Sequence, residues 1–195
     1  MSVQHLLKSL VWLALAVCGL PAGSRAQSVA QRSNAACVLD WAGRQTGVRE
    51  LTGSNDGPQI NAWQKAAGAA LYGPWCGVYQ AANQRACGLP VPKGAAGSYN
   101  WFTDKTRTYY FTGKRGSIDS LKPGHVVGFY YASLGRIGHI GRAVEMGRSI
   151  RKGRPARGWY VNAGNTGRGG GRDGGGVRVV FYPSSDISAA ANWLY

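Results

Sequence analysis

The sequence predicts an α+β domain in which N-terminal helices pack on a mostly antiparallel β-sheet. The signals for the three main helices all precede residue 90, and the β-branched and aromatic runs typical of strands follow later in the chain. The length of 195 residues and the hydrophobic content of 44% suffice for one core. No repeat or linker divides the chain, so one domain is expected.

The first 26 residues are typical of a secretory signal peptide. Lys8 gives a basic start, an apolar run covers residues 10–20, and Ser24-Arg25-Ala26 is a small-x-small cleavage site. The run is too short to span a membrane, and no second candidate follows. A lipoprotein signal at Cys18 is the alternative, although the preceding Val17 is bulky for that processing. We therefore expect a secreted or periplasmic protein with three parts: signal peptide 1–26, flexible leader 27–34 and domain 35–195.

Start and stop residues predict three helices before the strands begin. Ser33 or Asn34 caps the first and Gly47 stops it, and Pro58 opens the second at a position where proline is favoured. A Gly73-Pro74 turn precedes the third. The predicted helices are Ala35–Thr46, Pro58–Ala66 and Trp75–Ala86.

Five strands and a closing helical turn are predicted for the rest of the chain. The strands cover residues 106–112, 125–131, 137–146, 158–162 and 177–182, and the helical turn covers 186–194. Residues 147–158 hold five cations and are expected to form a solvated basic loop. Residues 164–176 hold eight glycines and are expected to form a flexible loop at the edge of a cleft. A nucleic-acid contact by this Arg/Gly segment is the minor alternative.

Charge and cysteine content narrow the class of protein. The net charge is +15, and it falls to +13 without residues 1–26, which contribute Lys8 and Arg25 only. Such a protein is attracted to polyanions: an acidic cell wall, an anionic membrane surface or nucleic acid. Three cysteines remain after cleavage. In an oxidising compartment, Cys37 and Cys87 are the natural disulfide pair and Cys76 is left for chemistry, although all three could be small buried hydrophobic residues.

Cys76, His139 and Asn165 are the predicted catalytic residues. Cys76 lies at a helix start, where free N–H groups and the helix dipole favour thiolate. His139 lies in an apolar run between glycines and would serve as the base. If the preceding strand continues, Asn165 shares a face with Ala163 and could orient the imidazole, although an asparagine in this turn is equally ordinary as a turn former. His125, after Lys122-Pro123-Gly124, is attributed to turn chemistry.

Three further residues are candidates for binding substrate. Asn55 and Tyr72 are possible suppliers of an oxyanion donor beside the backbone N–H of Cys76. Trp75 adjoins the nucleophile and is the third candidate. No cofactor is implied, and the two histidines and scattered cysteines form no metal-ligand cluster.

Several short blocks resemble, in order, the CHAP family of cysteine- and histidine-dependent amidohydrolase/peptidases, which is allied to NlpC-type papain-like peptidases. The resemblance covers residues 48 to 193. The blocks are Asn55-Asp56-Gly57-Pro58, Gly73-Pro74-Trp75-Cys76, Lys122-Pro123-Gly124-His125-Val126-Val127, Gly138-His139-Ile140-Gly141 and Gly164-Asn165-Thr166. The resemblance implies a papain-like fold and hydrolysis of amide bonds in peptidoglycan, with Cys76 as nucleophile and His139 as general base.

Two positions depart from the family pattern. The family usually has glutamate where this chain has Ala163, and aspartate where it has His125. Without the glutamate, His139 lacks the carboxylate that would steady its imidazolium form, and Asn165 could orient the ring instead.

The leading hypothesis is a secreted peptidoglycan hydrolase, either a cysteine endopeptidase or an N-acetylmuramoyl-L-alanine amidase. The second is a catalytically degenerate protein that binds the cell wall, motivated by Ala163. The least favoured is a basic nucleic-acid-binding protein. The sequence contains no feature that decides the oligomeric state.

Overall fold

The computed structural model describes residues 22–151 and 153–195, which form three α-helices and a six-stranded β-sheet. The helices are α1 (Ala22–Gln45), α2 (Pro58–Ala66) and α3 (Cys76–Ala86). The strands are β1 (Thr108–Phe111), β2 (Val126–Tyr131), β3 (Arg136–Arg151), β4 (Arg154–Ala163), β5 (Arg178–Pro183) and β6 (Ala189–Ala191). The α+β class with helices before the sheet is as predicted.

The strands follow the order β1-β6-β2-β3-β4-β5, and every pairing is antiparallel. β6 is a correction, because residues 186–194 were predicted to form a helical turn. Its three alanines favour helix locally, but the segment pairs with β1 on one side and β2 on the other. Two ladders of backbone hydrogen bonds outweigh a propensity of less than about 1 kcal/mol per residue.

Both faces of the sheet are covered by apolar side chains. Val126 and Ile140 face the helical side and pack with Trp101, Phe102 and Trp193. The opposite face carries a second cluster, which includes Val127, Phe129, Ala143, Val161 and Tyr182. A third cluster holds the helices together around Trp63, Trp75 and Tyr79. α3 therefore lies between the aromatic helical cluster and the centre of the sheet.

α1 is joined to the end of α3 by a disulfide between Cys37 and Cys87. This pairing was the natural one from the sequence, and it leaves Cys76 as the free cysteine of the described residues. α1 begins earlier than expected and includes residues 27–34, for which a flexible leader was predicted. The Asn34 side chain donates to the carbonyl of Leu194 at 2.9 Å, which ties this part of α1 to the end of the chain. The predicted signal peptide lies mostly outside the described residues.

The β3–β4 hairpin replaces the solvated loop expected over residues 147–158. The two strands stay paired as far as Arg151 and Arg154, with Gly153 in a left-handed conformation at the turn. We call residues 147–151 and 153–157 the basic hairpin. Among residues 22–151 and 153–195, no helix is long and apolar enough to cross a membrane.

Candidate active site

Cys76 is the first residue of α3, directly after its N-cap residue Trp75. The Gly73-Pro74 turn stops the preceding segment, so the helix begins where the sequence predicted. Gly77 follows, and a Cβ at this position would come within 2.7 Å of the backbone carbonyl oxygens of Ala95 and Ala96. A side chain there would push residues 95–96 away from the first turn of α3.

The Cys76 thiol lies beside β3, at a point where β3 is no longer paired with β4. β4 pairs with β3 only from Asn162 and Arg142 onward, so Ile140 lies beyond the end of that ladder. The backbone N–H of Ile140 hydrogen-bonds the Cys76 sulfur. The predicted nucleophile therefore lies beside the residue that follows His139, the predicted base, but its sulfur makes no hydrogen bond to the imidazole.

The electrostatic state of Cys76 differs from the sequence expectation. Cys76 is 4% exposed, and this burial raises the pKa of its thiol. The N–H of Ile140 and the Ser98 hydroxyl lower the pKa, but burial is the larger effect. The neighbouring donors therefore do not offset burial, and the neutral thiol of Cys76 is favoured over the thiolate in this structure.

His139 is fully buried, and neither of its ring nitrogens has a hydrogen-bond partner among the described residues. Its ring lies 5.8 Å from that of Phe129, on the sheet face opposite to Ile140. Burial, with a smaller contribution from the charge of Arg172, lowers the pKa of His139 to about 3. The imidazole is therefore neutral at physiological pH.

Ala163 occupies the position from which a carboxylate could reach His139. Residues 139 and 141 share a sheet face, and a Cβ at Gly141 would lie 3.2 Å from that of Ala163. His139 and Ala163 are thus diagonal neighbours on adjacent strands, a separation that a long side chain spans. An alanine at this position offers no polar atom to the imidazole, whose nitrogens have no hydrogen-bond partner among the described residues.

Asn165 bonds to Asn55 and not to His139. Its Nδ2 donates to Asn55 Oδ1 at 3.1 Å, and its Oδ1 accepts from the N–H of Gly174 at 3.4 Å. β4 ends at Ala163, and Asn165 has a positive φ of 54°, so the strand alternation used to predict its direction does not extend to it. Asn55 also has a positive φ, of 58°. The structure brings two left-handed asparagines together at the edge of the site.

These asparagines line a surface cavity of about 410 Å³ together with Glu50 and the 173–175 segment. Glu50 Oε1 accepts a hydrogen bond of 2.8 Å from the indole N–H of Trp75, which is fully buried. Trp75 therefore does not line the cavity itself, and its indole N–H holds the cavity-lining carboxylate of Glu50. Tyr72 is 60% exposed near the same loops and does not line this cavity.

The glycine-rich loop, residues 164–176, covers the site. Thr166 Oγ1 donates to the carbonyl of Gly171 at 2.8 Å, and the N–H of Gly171 donates to the Tyr182 hydroxyl at 3.3 Å. These bonds hold the loop over the sheet face that carries His139. Cys76 and His139 are both buried beneath their neighbours in this structure.

His125 forms a separate pair at the opposite end of β2. Its N–H closes the predicted turn on the carbonyl of Lys122 at 3.2 Å. Its Nδ1 lies 2.7 Å from the Tyr109 hydroxyl, and burial lowers the pKa of the ring to about 4. His125 directly precedes the first residue of β2, pairs with Tyr109, and is not part of the Cys76 site.

Three contributors to the site were missed by sequence reasoning: Glu50, Gln64 and Ser98. Gln64 is buried and donates to the carbonyls of Asn55 and Gly73, which couples the two loops beside Cys76. None of the three stands in a motif, and only their contacts reveal them. The scarcity of acids in this basic chain was the one available signal for Glu50.

Comparison of the chain with family models, curated proteins and solved structures gives no match. The function is therefore argued from the site itself. Within the described part of the chain, no group of three histidine, cysteine or acidic side chains could hold a metal ion.

Proposed function

We propose that this protein is a secreted thiol hydrolase with a papain-like arrangement that cuts amide bonds of peptidoglycan. It would act as a cysteine endopeptidase or an N-acetylmuramoyl-L-alanine amidase. The observation that carries the proposal is the position of Cys76, the free cysteine at a helix start, against the backbone of the residue that follows His139. The order of motifs that resembles the CHAP family agrees with it.

The unpartnered imidazole supports a chemical role for His139. A buried polar group without a hydrogen bond costs about 1–3 kcal/mol, and His139 leaves two ring nitrogens in this condition. A histidine that served only to fill the sheet would be replaced by an apolar residue at no such cost. A role as proton acceptor during the reaction would account for a buried imidazole without a hydrogen-bond partner among the described residues.

The pKa directions favour general-base activation over a preformed thiolate–imidazolium pair. The thiol pKa is raised and the His139 pKa is lowered, so both groups are neutral before substrate binds. As the sulfur bonds to the substrate carbonyl carbon, its proton passes to a ring nitrogen of His139. The imidazolium then protonates the leaving amine as the C–N bond breaks. Water, deprotonated by the same ring, attacks the thioester and releases the acid and the thiol.

Backbone donors at the start of α3 would stabilise the oxyanion. The N–H of Cys76 has no partner one turn earlier in the helix, as is general for first-turn N–H groups. Asn55 lines the adjacent cavity and is the candidate for a second, side-chain donor. Asn165 would act through Asn55, as a positioning residue of this edge.

A catalytically degenerate wall-binding protein is the second candidate. The observation that favours it is Ala163, which leaves the imidazole without an acidic neighbour. The cavity beside Asn55 would then hold a wall fragment without cleavage.

Digestion of purified peptidoglycan, with mass spectrometry of the products, tests the proposal. The full chain is compared with Cys76→Ala and His139→Ala variants, and their folds are checked by circular dichroism. New fragments with the unaltered chain alone are expected, and their masses identify the bond that is cut. Equal product profiles with all three proteins, while all three sediment with the wall, would reject the hydrolase and leave the binder.

A further inference from the structure

Among the described residues, no third strand pairs with the basic hairpin where it leaves the sheet. β2 pairs with β3 only over Arg136–Arg142, and β5 pairs with β4 only from Gly158 onward. Five cross-strand pairs, from Gly147–Gly158 to Arg151–Arg154, lie at or beyond that boundary. At about 3.3 Å per residue, the paired ribbon extends about 15 Å from the sheet.

Positive charge is concentrated on the paired ribbon, and the placement of these charges destabilises the pairing of its two strands. Five cations and no acid occur between residues 146 and 158. Arg148 lies directly opposite Arg157. Like charges in directly opposed positions destabilise a strand pair. Within the described parts of the chain, Arg148, Arg154 and Arg157 form no ion pair. Their charge is therefore available to a ligand.

Apolar side chains share a face with these arginines. Ile150 is 67% exposed and Met146 is 41% exposed. By strand alternation both lie on the face of Arg148, and the Arg157 guanidinium contacts the Met146 sulfur at 3.0 Å. Cations alone would suffice to protect an open strand edge from aggregation, and an exposed isoleucine works against that purpose. The combination of exposed arginines and exposed apolar side chains on one face points to a ligand that is both anionic and apolar.

We propose that the basic hairpin docks on the surface of an anionic phospholipid bilayer. The arginines would contact lipid phosphates, and Ile150 and Met146 would enter the boundary between headgroups and acyl chains. A wall polymer or a nucleic acid offers the phosphates but no apolar layer for Ile150. The hairpin contains the end of β3 that is remote from His139, so this inference does not depend on the hydrolase proposal.

Sedimentation of the full chain with vesicles tests this inference. One set of vesicles is phosphatidylcholine alone, and the other contains equal parts of phosphatidylcholine and phosphatidylglycerol. The variants are Arg148→Gln/Arg157→Gln and Ile150→Ser. The matched control is Lys65→Gln/Arg85→Gln, which removes the same charge from exposed positions on α2 and α3. Leader residues are the same in every protein, so differences between variants report on the hairpin.

The hairpin double variant is expected to bind anionic vesicles about 25-fold more weakly, at about fivefold for each cation removed from the surface. Ile150→Ser is expected to weaken binding about tenfold, because an inserted apolar side chain is lost. The control should change binding by less than about twofold, since its cations lie away from the membrane. The inference is overturned by equal losses in the control and hairpin double variants, by unchanged binding of Ile150→Ser, or by the absence of a preference for anionic vesicles. Tighter binding to duplex DNA than to vesicles, lost in the double variant alone, would also overturn it and assign the hairpin to nucleic acid.

Discussion

Replacement of Ala163 by glutamate should give His139 the partner that it lacks. The two residues are diagonal neighbours on one face of adjacent strands, and the glycine at 141 leaves no side chain between them. A glutamate carboxylate on this face would come within about 4–6 Å of the imidazole, where an opposite charge shifts a pKa by about 1–3 units. The pKa of His139 should therefore rise from about 3 to between about 4 and 6.

Titration of the histidine ring protons by NMR measures this shift directly. Residues 27–195, the segment used for this measurement, contain only His125 and His139, and His125 lies in a separate pair with Tyr109. The resonance of His125 should not move, which makes it an internal reference. The matched control is Ala163→Gln, which has the same shape without the charge and should shift the His139 pKa far less. An unchanged His139 pKa in a folded Ala163→Glu protein would refute the assignment of residues 139 and 163 to one face.

The same variant separates the two functional candidates. If the chain is a hydrolase that lacks only its carboxylate, Ala163→Glu should raise the rate of peptidoglycan cleavage, since an anion stabilises the imidazolium that forms during the reaction. If the pKa rises while cleavage remains absent, the missing carboxylate is not what limits activity.

Three further predictions concern stability. Cys37→Ser/Cys87→Ser should lower the free energy of unfolding by about 2–4 kcal/mol, because the disulfide closes a loop with a sequence separation of 50 residues; equal urea midpoints with and without the disulfide would contradict this. Gly77→Ala should lower the free energy of unfolding by about 1–3 kcal/mol, because the added Cβ meets two backbone carbonyls. A gain in thermal stability, which helix propensity alone predicts, would contradict this close packing. Stability should fall as the pH drops below about 6.5 and should level off near pH 3, because burial lowers the folded-state pKa values of His125 and His139 and the unfolded chain binds more protons in this window. The expected slope is about 1.4 kcal/mol per pH unit for each histidine, and a urea midpoint that is constant from pH 7 to about 4 would exclude it.

The sequence by itself determined the features that depend on local chemistry. A proline at the first helical position placed α2, and the Gly73-Pro74 turn placed Cys76 at the start of α3. Five strands were predicted near their observed positions because β-branched and aromatic runs are local signals. The count of cysteines suggested the Cys37–Cys87 pair.

Only the tertiary structure decided features that depend on distant neighbours. The alanines of β6 form a strand because β1 and β2 both pair with them. The basic hairpin forms because β3 and β4 continue to pair beyond the rest of the sheet. The pKa of Cys76 rises because burial outweighs the donors at the helix start, and Asn165 turns to Asn55 because β4 ends at residue 163. Burial and pairing are sums over contacts made by segments far apart in the chain, so no local pattern contains them.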